Sequence, residues 1–145
     1  MNVDIKSGFK FQSQYIKNLS FESPKVPQKL PHTIVKPNID VGVNVNAITI
    51  NNESNIFEVE INTKAEASQE NELVFTTELT YAGVVQLNGI DEKDKSVVIL
   101  VEIPSILFPF VRRIIADTVR DGGFPPLYIE PIDFLKLYQN NIKQN

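Results

Sequence analysis

The sequence predicts an α+β fold: a four-stranded antiparallel sheet with two C-terminal helices packed on one face. Three observations predict it. The amino-terminal two-thirds alternates apolar and polar residues with a period of two, the pattern of strands with one dry and one wet face. After Gly89 the apolar spacing lengthens to three and four residues, as on an amphipathic helix. Strands followed by helices, rather than alternating with them, belong to α+β architecture, and one-sided sheets are characteristically antiparallel.

The first strand places Phe9, Phe11, Ser13, Tyr15, Lys17, Leu19 and Phe21 on one face. A segment with Pro24, Pro27, Pro31 and Pro37 follows. Proline fixes φ and lacks an N–H donor, so residues 23–37 are expected to form a semi-extended crossover loop over the surface. Ile39, Val41, Val43 and Val45 alternate with Asp40, Gly42, Asn44 and Asn46 in the second strand. Phe57, Val59, Ile61, Thr63 and Ala65 form the dry face of the third, and Leu73, Phe75, Thr77, Leu79 and Tyr81 that of the fourth. The link from Ser68 to Asn71 is short enough for a hairpin.

Ser105 is the expected N-cap of the first helix, with Pro109 near the first turn, where proline costs least. Ile106, Leu107, Phe110, Val111, Ile114, Ile115, Thr118 and Val119 recur at helical spacing. Gly122 with Gly123 is a natural stop. Two adjoining apolar stripes widen the buried face, which either covers its own sheet or reaches a further surface. Residues 122–131, including the run FPPLYIEP, form a helix-connecting loop. A second helix begins near Asp133 with Phe134, Leu137, Tyr138 and Ile142, and the tail 141–145 is expected to fray. Residues 1–145 read as a single domain, with no internal repeat.

The chain has 145 residues, a net charge of −4, no cysteine and no tryptophan, and His32 is its sole histidine. The missing cysteines exclude a disulfide framework and any Cys-based zinc site. The acidic balance disfavours nucleic acid, whose binding rests on Lys and Arg. No basic-then-apolar leader and no stretch of ~20 apolar residues is present, so a cytoplasmic protein without membrane insertion is expected. His32 lies among prolines, with no serine, carboxylate or second histidine nearby in sequence, and the glycines form no phosphate-binding loop. Asp91, Glu92 and Asp94 lack the glycine a calcium loop needs and read as a solvated turn or helix start. We therefore expect no enzyme, no metal and no cofactor. Phe124, Leu127, Tyr128 and Ile129 on the proline-stiffened loop either plug the end of the core or form an apolar groove. Periodicity does not decide between these.

Three stretches, in order, carry a resemblance: YIKNLSFESP at 15–24, YAGVVQLNGI at 81–90, and IPSILFPFVRRIIADTVRDGGFPPLYIEPIDFLKLYQ at 103–138. Together they resemble the SecB family of export chaperones, over about Phe9 to Tyr138. The resemblance implies an ATP-independent cytosolic holdase, a homotetramer built as a dimer of dimers. It would bind unfolded precursor proteins and pass them to the SecA motor. The helix Ile106–Thr118 would contribute to packing between dimers. Carried over by position, the client groove would comprise Val41 and Val43 on the second strand, Phe124, Leu127 and Tyr128 on the loop, and Phe134 and Leu137 on the second helix. The crossover loop of relatives often carries aromatics; here its best apolar residues are Leu30, Ile34 and Val35. The SecA-facing surface would match Glu22 and Glu78, with Asn18 at a position acidic in relatives and Thr76 at one that is apolar. Two other readings stay open: a SecB-like chaperone for a non-export client such as an antitoxin, and a carrier of an apolar small molecule in the same helix–sheet pocket.

Overall fold

The computed structural model describes residues 8–144. The first residues of the amino-terminal alternation and the tail residue Asn145 lie outside the described residues, and the backbone remains helical through Gln144. Four strands, β1 (Gly8–Glu22), β2 (Asn38–Asn51), β3 (Ile56–Gln69) and β4 (Glu72–Asn88), form one sheet in the order β1-β4-β3-β2, with every neighbouring pair antiparallel. Helices follow, giving the expected α+β architecture. β1 and β2 are therefore the two open edges, the long crossover between them spanning the width of the sheet.

The link between β3 and β4 is a two-residue turn in which Glu70 (φ 54°) and Asn71 (φ 62°) are both left-handed, the pattern whose twist matches the strands it joins. Odd-numbered residues face the helices in β3 as far as Ala67 and in β4 from Phe75 onward; a bulge at Val74, where Ala67 pairs with Phe75 but Ser68 with Leu73, takes Leu73 off the face it was expected to share with Phe75. Val59, Ile61, Ala65, Leu79 and Val85 have essentially no exposed surface.

β1 departs from its expected single face. Register shifts fall between Phe11 and Ser13 and between Ile16 and Asn18. Each bulge inserts one unpaired residue and switches which face the following residues take. Phe9 and Phe11 therefore face the helices and Ser13 and Tyr15 the opposite side, until the second bulge returns Leu19 and Phe21 inward. The inward residues of the middle segment are Gln14, which accepts a 3.1 Å hydrogen bond from the Tyr81 hydroxyl, and Ile16, paired with Tyr81.

The first helix begins earlier than expected. α1 (Glu92–Val97) runs into a π-helical turn (Val98–Glu102) and then α2 (Ile103–Asp121) without a break. Asp91, Glu92 and Asp94 are thus the helix start. Ser105 is not an N-cap: it lies inside the helix, and its hydroxyl donates to the Val101 carbonyl at 2.6 Å. Pro109 likewise sits in the helix interior. The π turn has a local cause. Pro104 has no N–H to donate, and its ring crowds the carbonyl four residues back. The turn before it widens so that the Ile103 N–H reaches Val98 O, five residues back. Ile103, Leu107, Val111, Ile115 and Val119 form the fully buried stripe against β3 and β4.

The two glycines ending α2 divide their work. Gly122 has an ordinary helical φ of −75°. It is required by space, because a Cβ there would lie 2.3 Å from Phe21 Cζ. Gly123, at φ 94°, supplies the left-handed residue. α3 (Phe134–Gln144) is capped by Asp133, whose Oδ1 accepts from the Lys136 N–H at 3.1 Å. It packs on the π turn, with Phe134 2% exposed and edge-to-face on Phe108 at 5.6 Å.

Candidate client groove and acidic face

The sheet has two working faces. On the helix side, the edge strand β2 presents Ile39, Val41, Val43 and Val45, opposite Ala67, Ala65, Thr63 and Ile61 of β3. The β3 partners are buried, whereas Val41 keeps 36% of its surface exposed and Val43 and Val45 are half-buried. α2 lies over β3 and β4, and the π turn reaches β2, which leaves part of this edge uncovered.

A cleft lies at each end of the β2 row. The first, about 210 Å³, is walled by Ile34, Lys36, Pro37 and Ile39 on one side and by Phe124, Pro125, Pro126 and Leu127 on the other, with Phe75 between. The second, about 180 Å³, lies among Val45, Leu100, Leu137, Tyr138, Asn141 and Ile142. The prolines hold the loop extended. Phe124 anchors it, 6% exposed and packed on Phe75 (4.9 Å) and Phe21 (6.3 Å), with Phe21 stacked on Phe75 at 5.6 Å.

Of the residues expected in the groove, Val41 and Val43 lie along its floor, Phe124 and Leu127 wall the first cleft, and Leu137 lines the second. Phe134 is buried beneath α3 and supports the wall rather than lining it. Tyr128, 68% exposed, lies over the other side of the loop, in a surface depression with Pro109, Arg112, Arg113, Ala116 and Asp117. The loop is pinned there by Arg112, whose Nε donates to the Ile129 carbonyl at 2.7 Å. Ile34 of the crossover loop lines the first cleft, whereas Leu30 and Val35 are exposed. Ile39 was passed over by sequence reasoning although it continues the alternation of Val41 and Val43. Leu100 gave no signal, because its place depends on the π turn.

The opposite face is polar and organised in cross-strand rows. Asp40, Glu66, Thr76 and Glu22 form one row, Gly42, Lys64, Glu78 and Ser20 the next, and Asn44, Asn62, Thr80 and Asn18 a third. Asn18, Glu22, Thr76 and Glu78 thus share one patch on β1 and β4. Sequence reasoning missed Asp40 and Glu66, which the register aligns with Glu22. Lys64 sits between Glu66 (3.1 Å) and Glu78 (3.6 Å), and the hydrogen bond to Glu66, with both charges, raises its pKa. Asn62 donates to Asn44 at 3.0 Å and accepts from the Thr80 hydroxyl at 2.7 Å.

Farther along this face the first bulge of β1 brings Tyr15 to Glu58, and the second brings Lys17 between Glu58 and Glu60. Tyr15 donates to Glu58 Oε2, and Lys17 Nζ to Glu58 Oε1 at 2.9 Å and to Glu60. Glu58 is only 7% exposed. The Tyr15 hydrogen bond, and then Lys17, hold its carboxyl below the ordinary carboxylate value despite burial, while burial and Glu58 push the Tyr15 hydroxyl up to about 12. This cluster ties β1 to β3 across β4 and is satisfied internally.

Among the described residues no group of three or more His, Cys, Asp or Glu side chains could hold a metal ion, and no helix is long and apolar enough to cross a membrane. The sheet thus carries a partly open apolar trough on one side and an acidic patch on the other.

A family profile described as preprotein translocase subunit SecB matches residues 3–145. The chain belongs to the SecB family. Relatives named protein-export protein SecB include one from Methylocella silvestris, 45% identical over 98% of this chain and 87% of its own length. Another, from Bartonella bacilliformis, is 38% identical over 97% of this chain and 87% of its own. Among solved structures, a Mycobacterium tuberculosis SecB-like chaperone, Rv1957, in complex with a ChAD peptide from the Rv1956 HigA1 antitoxin, superposes with a TM-score of 0.69. It covers 86% of this chain and 90% of its own at 16% identity, a likeness of fold. SecB is a protein-export chaperone family rather than a known enzyme family, and the chain is a member of it by nearly its whole length.

Proposed function

We propose that this SecB protein is a cytoplasmic, ATP-independent holdase acting as one chaperone domain per chain. It binds unfolded precursor proteins along the β2 trough and hands them to SecA through the opposite, acidic face. The observation that carries this reading is the partly uncovered row Ile39, Val41, Val43 and Val45 on an edge strand, with an apolar cleft at each end. An extended client chain matches that shape. Covering apolar surface contributes roughly 25 cal/mol per Å², most of it offset by ordering and association costs, so the hold is reversible and needs no nucleotide. The clefts of about 210 and 180 Å³ are smaller than the roughly 300–1,000 Å³ typical of small-molecule sites, which weighs against the carrier reading.

A homotetramer is supported by a second apolar patch at the other edge. Ile16 and Leu19 of β1 and Ile106 and Phe110 of α2 are exposed, and Phe110 stacks on Tyr81, the cross-strand partner of Ile16. Several protomers give one long client several weak sites at once, and avidity follows.

The double substitution Glu22→Lys with Glu78→Lys tests the handover. Reversing both charges also places a second lysine beside Lys64. SecA affinity, measured by calorimetry in moderate salt, is expected to fall about tenfold, with capture of an unfolded client unchanged. Unaltered SecA affinity would overturn the export handover. It would favour a chaperone serving a client such as an antitoxin, the kind of partner from which the peptide bound to the mycobacterial fold relative derives.

A further inference from the structure

Asn88–Gly89 is the sole Asn-Gly pair in the chain. In such a pair the backbone nitrogen of the second residue can close a five-membered ring on the asparagine Cγ. A side chain on the second residue crowds that closure, and glycine has none. The fold leaves this pair open. Asn88 is the last residue of β4, and both Asn88 and Gly89 are exposed. Gly89 has left the ladder with a left-handed φ of 66°, and among the described residues no backbone carbonyl accepts its N–H. Asp121–Gly122 is the contrasting case, because aspartate closes to the same imide. There the Gly122 N–H is held by the carbonyls of Thr118 (3.0 Å) and Val119 (3.1 Å), which ties its nitrogen into the last turn of α2.

We propose that Asn88 is a site of spontaneous deamidation in the folded protein. The Gly89 nitrogen attacks Asn88 Cγ. The N–Cγ bond forms, the Cγ–Nδ2 bond breaks, and Nδ2 leaves as ammonia with the proton that Gly89 gives up. Water then opens the imide at one of its two carbonyls, giving aspartate or isoaspartate. Either product carries one added negative charge at neutral pH, and neither step needs an enzyme, an oxidant or a reductant.

The two products differ in what they do to the fold. Three residues, Gly89 to Asp91, join β4 to α1, and both sides of the joint are fixed. Leu87 is 2% exposed, and its N–H donates to the Asn55 carbonyl at 2.9 Å. Ile90 packs against the core, and Lys95 of α1 donates to Asn55 Oδ1 at 2.9 Å. Aspartate at position 88 leaves the main chain as it was. Isoaspartate routes the main chain through the side chain and adds one carbon between Leu87 and Ile90, so the helix start must shift against the β2–β3 turn.

Ageing the purified full chain in warm, mildly alkaline buffer tests the site, read by isoelectric focusing and by peptide mapping with an isoaspartyl methyltransferase. The expected result is one acidic step, with isoaspartate at position 88 accumulating at least about tenfold faster than elsewhere, because only there does an unhindered glycine nitrogen follow. Asn88→Gln, whose closure needs a six-membered ring, should lose the acidic step. Fresh Asn88→Asp reproduces the aspartate product and should keep native hydrogen exchange over Glu92–Val97, whereas the isoaspartate fraction should exchange faster there. Isoaspartate forming first at position 121, or at position 88 only in urea, overturns the proposal, as does an acidic step that persists in Asn88→Gln. Native exchange in the isoaspartate fraction overturns the coupling to the helix start.

Discussion

Phe134→Ala is expected to lower the free energy of unfolding by about 3–5 kcal/mol, the usual cost of emptying a buried phenylalanine site, and to release α3 from the body of the protein. The side chain is 2% exposed and its ring meets Phe108 edge-to-face. Among the described side chains of α3 nothing else is as deep: Leu137 and Tyr138 are half-buried, and Leu135 and Ile142 are exposed. An isolated helix of 11 residues is marginal in water, so α3 owes its helicity to this anchor. Hydrogen exchange should show α3 amides losing protection while β3 and β4 keep theirs, and urea unfolding at fixed protein concentration should report the loss. The neighbouring Leu135→Ala should change stability by less than about 0.5 kcal/mol. Retained protection of α3 in Phe134→Ala would mean that the π turn and Leu137 hold the helix unaided.

Gly122→Ala is expected to destabilise by about 1–3 kcal/mol through overpacking. The sign is notable, because at a φ of −75° the change would ordinarily be neutral or stabilise by about 0.4–1 kcal/mol. Here the new methyl would lie 2.3 Å from Phe21 Cζ and 2.5 Å from Cε1. The ring must leave, and with it the stacking on Phe75 and the contact with Phe124 that seats the helix-connecting loop. Client binding should therefore weaken along with stability. Gly42→Ala is the control, since a Cβ there meets nothing within 4 Å, and it should be near neutral. Pairing Gly122→Ala with Phe21→Leu should recover part of the loss, as contacting residues couple. Full additivity of the two changes would locate the clash elsewhere.

These residues also mark what the sequence makes legible. The sheet was readable because β2, β3 and β4 keep their alternation over most of their length, so that Val59, Ile61, Phe75 and Leu79 announce their shared face, despite the bulge at Val74. β1 was misread because the bulges at Gln12 and Lys17 alter its parity. The signal was present in the polar Ser13 and charged Lys17 on a supposedly dry face. The helix start was hidden by the run from Val97 to Ile103, which is apolar on every side except Glu102 and so has no periodicity to read. Ser105 and Pro109 looked like terminal residues because the π turn that admits Pro104 has no local sequence mark. The groove shows the same division. Val41, Val43, Phe124 and Leu127 are apolar residues on an edge strand and a proline-held loop, which pattern and family resemblance can reach. That Tyr128 turns to the far side of the loop, and that Lys36 closes the cleft, depend on loop conformation, which no alternation encodes.

The central claim is that the trough holds non-native chains without nucleotide. The most direct measurement is the refolding rate of a slow-folding, chemically denatured protein, with and without one tetramer equivalent of this chain and no nucleotide. The expected result is arrested or strongly slowed refolding, no binding to the native form, and relief of the arrest in Leu127→Ser. Refolding at an unchanged rate would contradict the account.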